Sequence, residues 1–149
     1  MLADQIRSDM TAAMKRRDEV ATATLRMAMA AIAEASVAGK EARTLDDDEV
    51  TRLLNREVKK REEAATAYRD AGRADRADRE LAERDVLAAY LPAPLSAEEL
   101  DQLIDAVLAE GGFAGPSAMG PAMKAVTAQV AGRADGKTVS TLVKARLAG

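Results

Sequence analysis

Histidine and cysteine are both absent from this chain of 149 residues. Without cysteine there is no disulfide framework, no thiolate nucleophile and no thiolate metal site. Without histidine the chain lacks the commonest general base, the usual partner of a nucleophilic serine and the commonest metal ligand. Aromatics are confined to Tyr68, Tyr90 and Phe113, which withholds stacking platforms for unpaired bases. No apolar run reaches membrane-spanning length, and Asp4, Arg7 and Asp9 interrupt the N-terminus where a signal peptide would be uniform. These absences lead us to expect a cytoplasmic, non-catalytic protein with no catalytic residue, no cofactor, no metal and no membrane contact. An enzyme would need carboxylate or lysine chemistry in a pocket that the sequence does not display. The net charge of −3 also argues against a general nucleic-acid binder, which would be basic throughout, and leaves only local basic patches.

What the chain does have is alanine, leucine, arginine and glutamate, a mixture that favours helices over strands. Much of its apolar content is alanine, so the core should be thin and its helices close. The length fits one ordinary domain or two small ones. We expect an all-α fold: an N-terminal, four-helix bundle-like region over 1–92 and a small three-helix domain over 95–149.

Leu2, Ile6, Met10, Ala13 and Met14 form a first helical stripe. Asp18 then caps a second helix expected to reach about Ala38, with Leu25, Met29 and Ile32 inward and Gly39 as its stop. The run Asp46-Asp47-Asp48-Glu49 reads better as a helix cap than as a metal site, because its carboxylates are consecutive and precede an apolar-periodic stretch. The third helix should turn Val50, Leu53, Leu54, Val58, Ala65 and Tyr68 inward. Its outer face should carry Arg52, Arg56, Lys59, Lys60 and Arg61. Arg52, Arg56 and Lys60 repeat at i, i+4 and i+8, a spacing that brings like charges together. Arg56 has no acid three or four residues away on either side, which hints at an external anionic partner, although a solvated face explains it too. A fourth helix carries Leu81, Val86, Leu87, Ala89, Tyr90 and Leu91, and Pro92 and Pro94 end it at the best boundary in the chain.

Ser96-Ala97-Glu98-Glu99 is a capping box before Leu100, Leu103, Ile104, Val107 and Leu108. Gly111-Gly112 stops that helix, and Phe113 plugs the core. The last unit runs from Ser117 to Leu147: a stripe of Met119, Met123, Val126 and Val130, a glycine loop, then a stripe of Val139, Leu142, Val143 and Leu147. Ser117 is the expected N-cap of the first of these helices. The loop Gly132-Arg133-Ala134-Asp135-Gly136-Lys137-Thr138 falls one residue short of a phosphate loop and lacks the preceding strand. Two readings of it stay open. Gly132 and Asp135 account for it as a C-cap and an N-cap, or the helix N-terminus holds an anion beside Arg133 and Lys137.

Leu25-Arg26-Met27, Arg56 to Arg61, Tyr90-Leu91-Pro92, Met119-Gly120 with Met123, and Gly132 to Lys137 stand in the order found in the YqeY family. Nearly the whole chain resembles a stand-alone GatB/YqeY-domain protein. The resemblance implies an all-helical, two-part fold whose C-terminal part is similar to the tail of the GatB subunit of tRNA-dependent amidotransferase, which helps to hold tRNA. It also implies the family's label of carbon–nitrogen ligase activity with glutamine as amido-N donor, expected here through homology only, since the catalytic domains of that enzyme have no counterpart in this chain. Carried over by position, Lys124, Arg133 and Lys137 are the RNA-facing candidates, joined by Arg52, Arg56 and Lys60 from the basic third helix. Met119, Gly120 and Met123 would let helices approach closely. Pro121 stands where relatives often carry a basic residue, and Pro92-Ala93-Pro94-Leu95 lacks a lysine common there. Both departures lower the local positive charge. The leading expectation is a binding module for tRNA or an amidotransferase-related complex. The alternative is a protein-interaction or stability factor without RNA contact.

Overall fold

A computed structural model describes residues 1–149, and every regular element in it is a helix. The order is α1 (Leu2–Lys15), α2 (Glu19–Ser36), α3 (Asp47–Asp70), α4 (Ala74–Ala88), α5 (Ala97–Gly111), a 3₁₀ turn (Pro116–Ala118), α6 (Met119–Val130) and α7 (Gly136–Ala148). The chain divides into two compact units, Met1–Leu91 and Pro92–Gly149.

In the first unit Ile6, Leu25, Ile32, Val50, Leu54 and Leu87 are buried together at the centre. Local chemistry sets the helix starts. Asp18 accepts from the Ala21 N–H at 3.0 Å, and that bond, with Arg16 nearby, lowers its carboxyl pKa against the effect of burial. Asp46 and Glu49 form a reciprocal capping box at the start of α3, with bonds of 2.8 and 2.9 Å. The neighbouring Asp47 serves a different helix, accepting from the Leu2 N–H at 2.9 Å. The acidic run therefore caps two helix starts.

Other boundaries depart from expectation. α2 stops at Ser36 with Val37 as its C-cap, so Gly39 lies outside the helix end. Val37 is 62% exposed, and past Ser36 no side chain remains to bury on the stripe. The chain instead returns to bond the free Ser36 carbonyl through the Arg43 N–H at 2.9 Å. α4 ends at Ala88, and the next residues turn, because Pro92 disfavours helical backbone at Leu91. Tyr90 then donates its hydroxyl to Asp9, which ties the end of α4 to α1. Burial and that carboxylate together push the phenol well above its usual pKa. Met14 is exposed, not part of the stripe.

The largest correction concerns Arg61, expected on the outer face of α3 but only 5% exposed. Its Nη1 donates to the Glu57 carboxylate at 2.9 Å and to the Glu57 carbonyl at 3.1 Å. Its Nε lies 3.5 Å from the Glu83 carboxylate on α4. Burial raises the Glu57 carboxyl pKa, but Arg61 and Lys60 outweigh it and leave the group lowered. A buried charge between two partners is tolerated where an unpaired one is not.

In the second unit Ile104, Ala122, Val126 and Val143 are fully or almost fully buried. Ser96 caps α5 by accepting from the Glu99 N–H at 3.1 Å. The reciprocal arm of the expected box is missing, and the Glu99 carboxylate faces Arg133 at 4.0 Å instead. Gly112 ends α5 in the left-handed conformation, φ 65°. Ser117 is no N-cap. It lies inside the 3₁₀ turn, which runs directly into α6 and leaves that helix without a side-chain cap. Nor does Gly120 admit a neighbouring helix, since a methyl group there would meet open space. The glycine that does face a neighbour is Gly111, where an added Cβ would collide with the Phe113 ring.

Gly111→Ala should therefore lower stability by about 1–3 kcal/mol, the range for overpacking. Urea unfolding measures it, and an unchanged midpoint would mean the ring turns aside freely. Glu49 supports a second prediction. Its bond from Arg43, then that from the Asp46 N–H, pulls its pKa from 4.5 to about 2. A depressed carboxyl pKa stabilises the fold fully above the unfolded value and loses that effect as pH falls. Glu49→Gln should thus remove part of the loss of helicity between pH 4.5 and about 2, followed by circular dichroism on acid titration.

Candidate nucleic-acid interface

The six cations singled out above fall into the two units separately. Arg52, Arg56 and Lys60 are exposed on α3, about 6 Å apart along the helix axis for each four-residue step. Lys60 leans toward Glu57 at 3.5 Å. Arg52 contributes to the lowered pKa of Glu49, and Arg56 has no ion-pair partner. Lys124 lies on α6, Arg133 in the following loop and Lys137 in the first turn of α7.

The loop is built by two consecutive left-handed residues, Ala131 (φ 50°) and Gly132 (φ 80°). Glycine holds that conformation without penalty, whereas alanine at Ala131 costs about 1–2 kcal/mol. After them the Arg133 N–H returns to the Val130 carbonyl at 3.0 Å. Asp135 caps α7 by accepting from the Thr138 N–H at 3.1 Å and from its hydroxyl at 3.3 Å. A carboxylate thus occupies the place an anion would take at this helix start. The element before the loop is helix α6 rather than a strand, which removes the context that a phosphate loop requires.

Arg133 is turned inward upon its own unit. Its carbonyl accepts from the Leu95 N–H at 2.8 Å, and its Nε donates to the Ala93 carbonyl at 2.8 Å. One residue thereby fastens the proline-bounded segment to the α6–α7 loop.

Arg146 is a further organising residue, one that the sequence motifs do not single out. It bridges α7 to α5, with Nη2 2.9 Å from Asp101 and Nε beside Asp105. Asp105, then Asp101, raises its pKa despite some burial. One signal of it is legible: Arg146 follows Leu142 by four residues and precedes Leu147 on the apolar stripe, so it borders the packed face.

Charge in this unit is segregated. Every acid except Asp135 lies on α5: Glu98, Glu99, Asp101, Asp105 and Glu110. Every base lies beyond it: Lys124, Arg133, Lys137, Lys144 and Arg146. The two arginines neutralise α5 acids, and Lys124, Lys137 and Lys144 remain exposed and unpaired.

The family model described as Yqey-like protein matches residues 3–147. The chain is also 29% identical over 144 residues to "Altered inheritance of mitochondria protein 41, mitochondrial" of Pyrenophora tritici-repentis, covering 94% of this chain and 77% of that protein.

Arg133 and Lys137 should respond differently to mutation. Arg133→Ala should cost about 1 kcal/mol, discounted from the usual value for a charged hydrogen bond because the site is partly exposed. Lys137→Ala should stay within about 0.5 kcal/mol of the parent, as exposed substitutions do.

Proposed function

The chain belongs to the YqeY family, and from that premise we propose that it is a non-catalytic helical module that contacts tRNA, or a tRNA-handling complex, through its C-terminal unit. The two-part reading of the fold, a four-helix bundle-like N-terminal region and a three-helix domain, forms part of this proposal. The observation that carries it is the charge segregation: Arg133 and Arg146 satisfy acids of α5, and Lys124, Lys137 and Lys144 stay free for an external anion. The similarity to the GatB tail points the same way. Three point charges without aromatic neighbours suit phosphates better than bases, so the contact is a backbone contact with little sequence preference. On the N-terminal unit, Arg56 with Arg52 offers a secondary contact. The relative's name concerns a cellular outcome, inheritance of mitochondria, and supplies no reaction.

Bulk tRNA should bind at low salt and weaken steeply as salt rises. Replacing Lys124, Lys137 and Lys144 by alanine should flatten the slope of log K against log salt by about 2–3 units, near one for each phosphate left without its lysine. Arg52→Ala/Arg56→Ala should have a smaller effect. Filter binding or fluorescence anisotropy measures both. No binding of tRNA at low salt would sink the direct RNA contact and leave only a protein partner.

A further inference from the structure

The first unit holds a groove of about 560 Å³ between α2, α3 and α4. Met27, Ala30 and Ala31 supply its apolar lining from one face of α2, and Ala64 from α3. Met27 is 54% exposed, one of few large apolar side chains left in water. Arg61 also lines the groove, and its Nη2 has only the Met27 sulfur within reach, at 3.9 Å.

The groove's charges do not balance. Arg61 is matched by Glu57 and Glu83, and Lys60 adds a second cation beside Glu57. Glu34 on α2 and Glu80 on α4 also line it, and neither has an ion-pair partner. Apolar residues sharing a groove with two carboxylates that lack an ion-pair partner ask for an apolar stripe flanked by cations. The groove opens to solvent and runs between helices, with no strand edge to extend. That geometry suits the side of a helix, read at i, i+3, i+4 and i+7, rather than an enclosed small molecule. Methionine adds an adaptable surface for such a contact.

We propose that the α2–α3–α4 groove is a docking site for a basic amphipathic helix of a partner protein, with its Lys or Arg side chains paired to Glu34 and Glu80 and its apolar face on Met27 and the alanines. This contact is independent of the lysines of the C-terminal unit, so an RNA contact and a protein contact would occupy different parts of one chain.

The test uses the full chain labelled at methionine methyl groups, with Met27 as reporter. Two synthetic helical peptides share one Leu/Ala face and differ only in flanks of lysine or of glutamate. The lysine peptide should move the Met27 resonance in a salt-dependent way, and the glutamate peptide should not. Glu34→Lys/Glu80→Lys should weaken the lysine peptide at least about tenfold and admit the glutamate peptide, with helicity unchanged by circular dichroism. The proposal is overturned if neither peptide moves Met27, if both bind alike, or if the double variant keeps the parent's preference. It is equally overturned if the Met27 resonance moves with protein concentration alone, since the occupant would then be a second copy of this chain.

Discussion

The buried cores are built mainly of Leu, Ile and Val rather than of alanine, and a few charged side chains set how the helices align along their seams. Arg61 is the clearest case. It joins α3 to α4 through Glu57 and Glu83 while almost wholly removed from water. Such a pair need not add net stability over an apolar replacement. Losing both carboxylates is another matter, because it strands the buried Arg61 charge and costs several kcal/mol. The pair therefore acts on alignment: sliding α4 along α3 would separate Arg61 from Glu83.

The second unit uses the same device at its edge. Arg133 and Arg146 join elements separated by some forty residues of chain, the first reaching the proline-bounded segment and the second the acidic α5. Both links are partly exposed, so each contributes little alone. Their larger consequence is electrostatic. They engage Glu99, Asp101 and Asp105, while the lysines on α6 and α7 carry no ion pair within the unit, although the chain as a whole is acidic.

The readable parts of this structure are those decided within a few residues. Asp18, Asp46, Ser96 and Asp135 all cap where their spacing to the next apolar stripe predicted, because capping is a contact over three residues. The inward stripes of α3, α6 and α7 were legible for the same reason. What escaped was decided at a distance. Arg61 could have been suspected, since it fills the turn between Val58 and Ala65 on the buried face of α3. Its charge points outward by type while its periodicity points inward, and the deciding partner, Glu83, lies on another helix. Arg133 looked free because its acceptor, the Ala93 carbonyl, is a backbone group forty positions away. Met14 and Gly120 have residue types suited to packing but no neighbour to pack on, and Gly39 and Ser117 suit helix ends that fall elsewhere in the chain.

Asp47 has a consequence for how the chain is made. The Leu2 amide at the start of α1 depends on a carboxylate from the start of α3. Synthesis proceeds from α1 toward α3, so α1 emerges with that amide bonded only to water. A lone helix of that length is marginal in water. Its N-terminal turn acquires its permanent partner only when α3 begins to coil, at the same residues that close the α3 capping box. α1 is thus completed only by residues of the later α3, and one acidic run serves both helix starts.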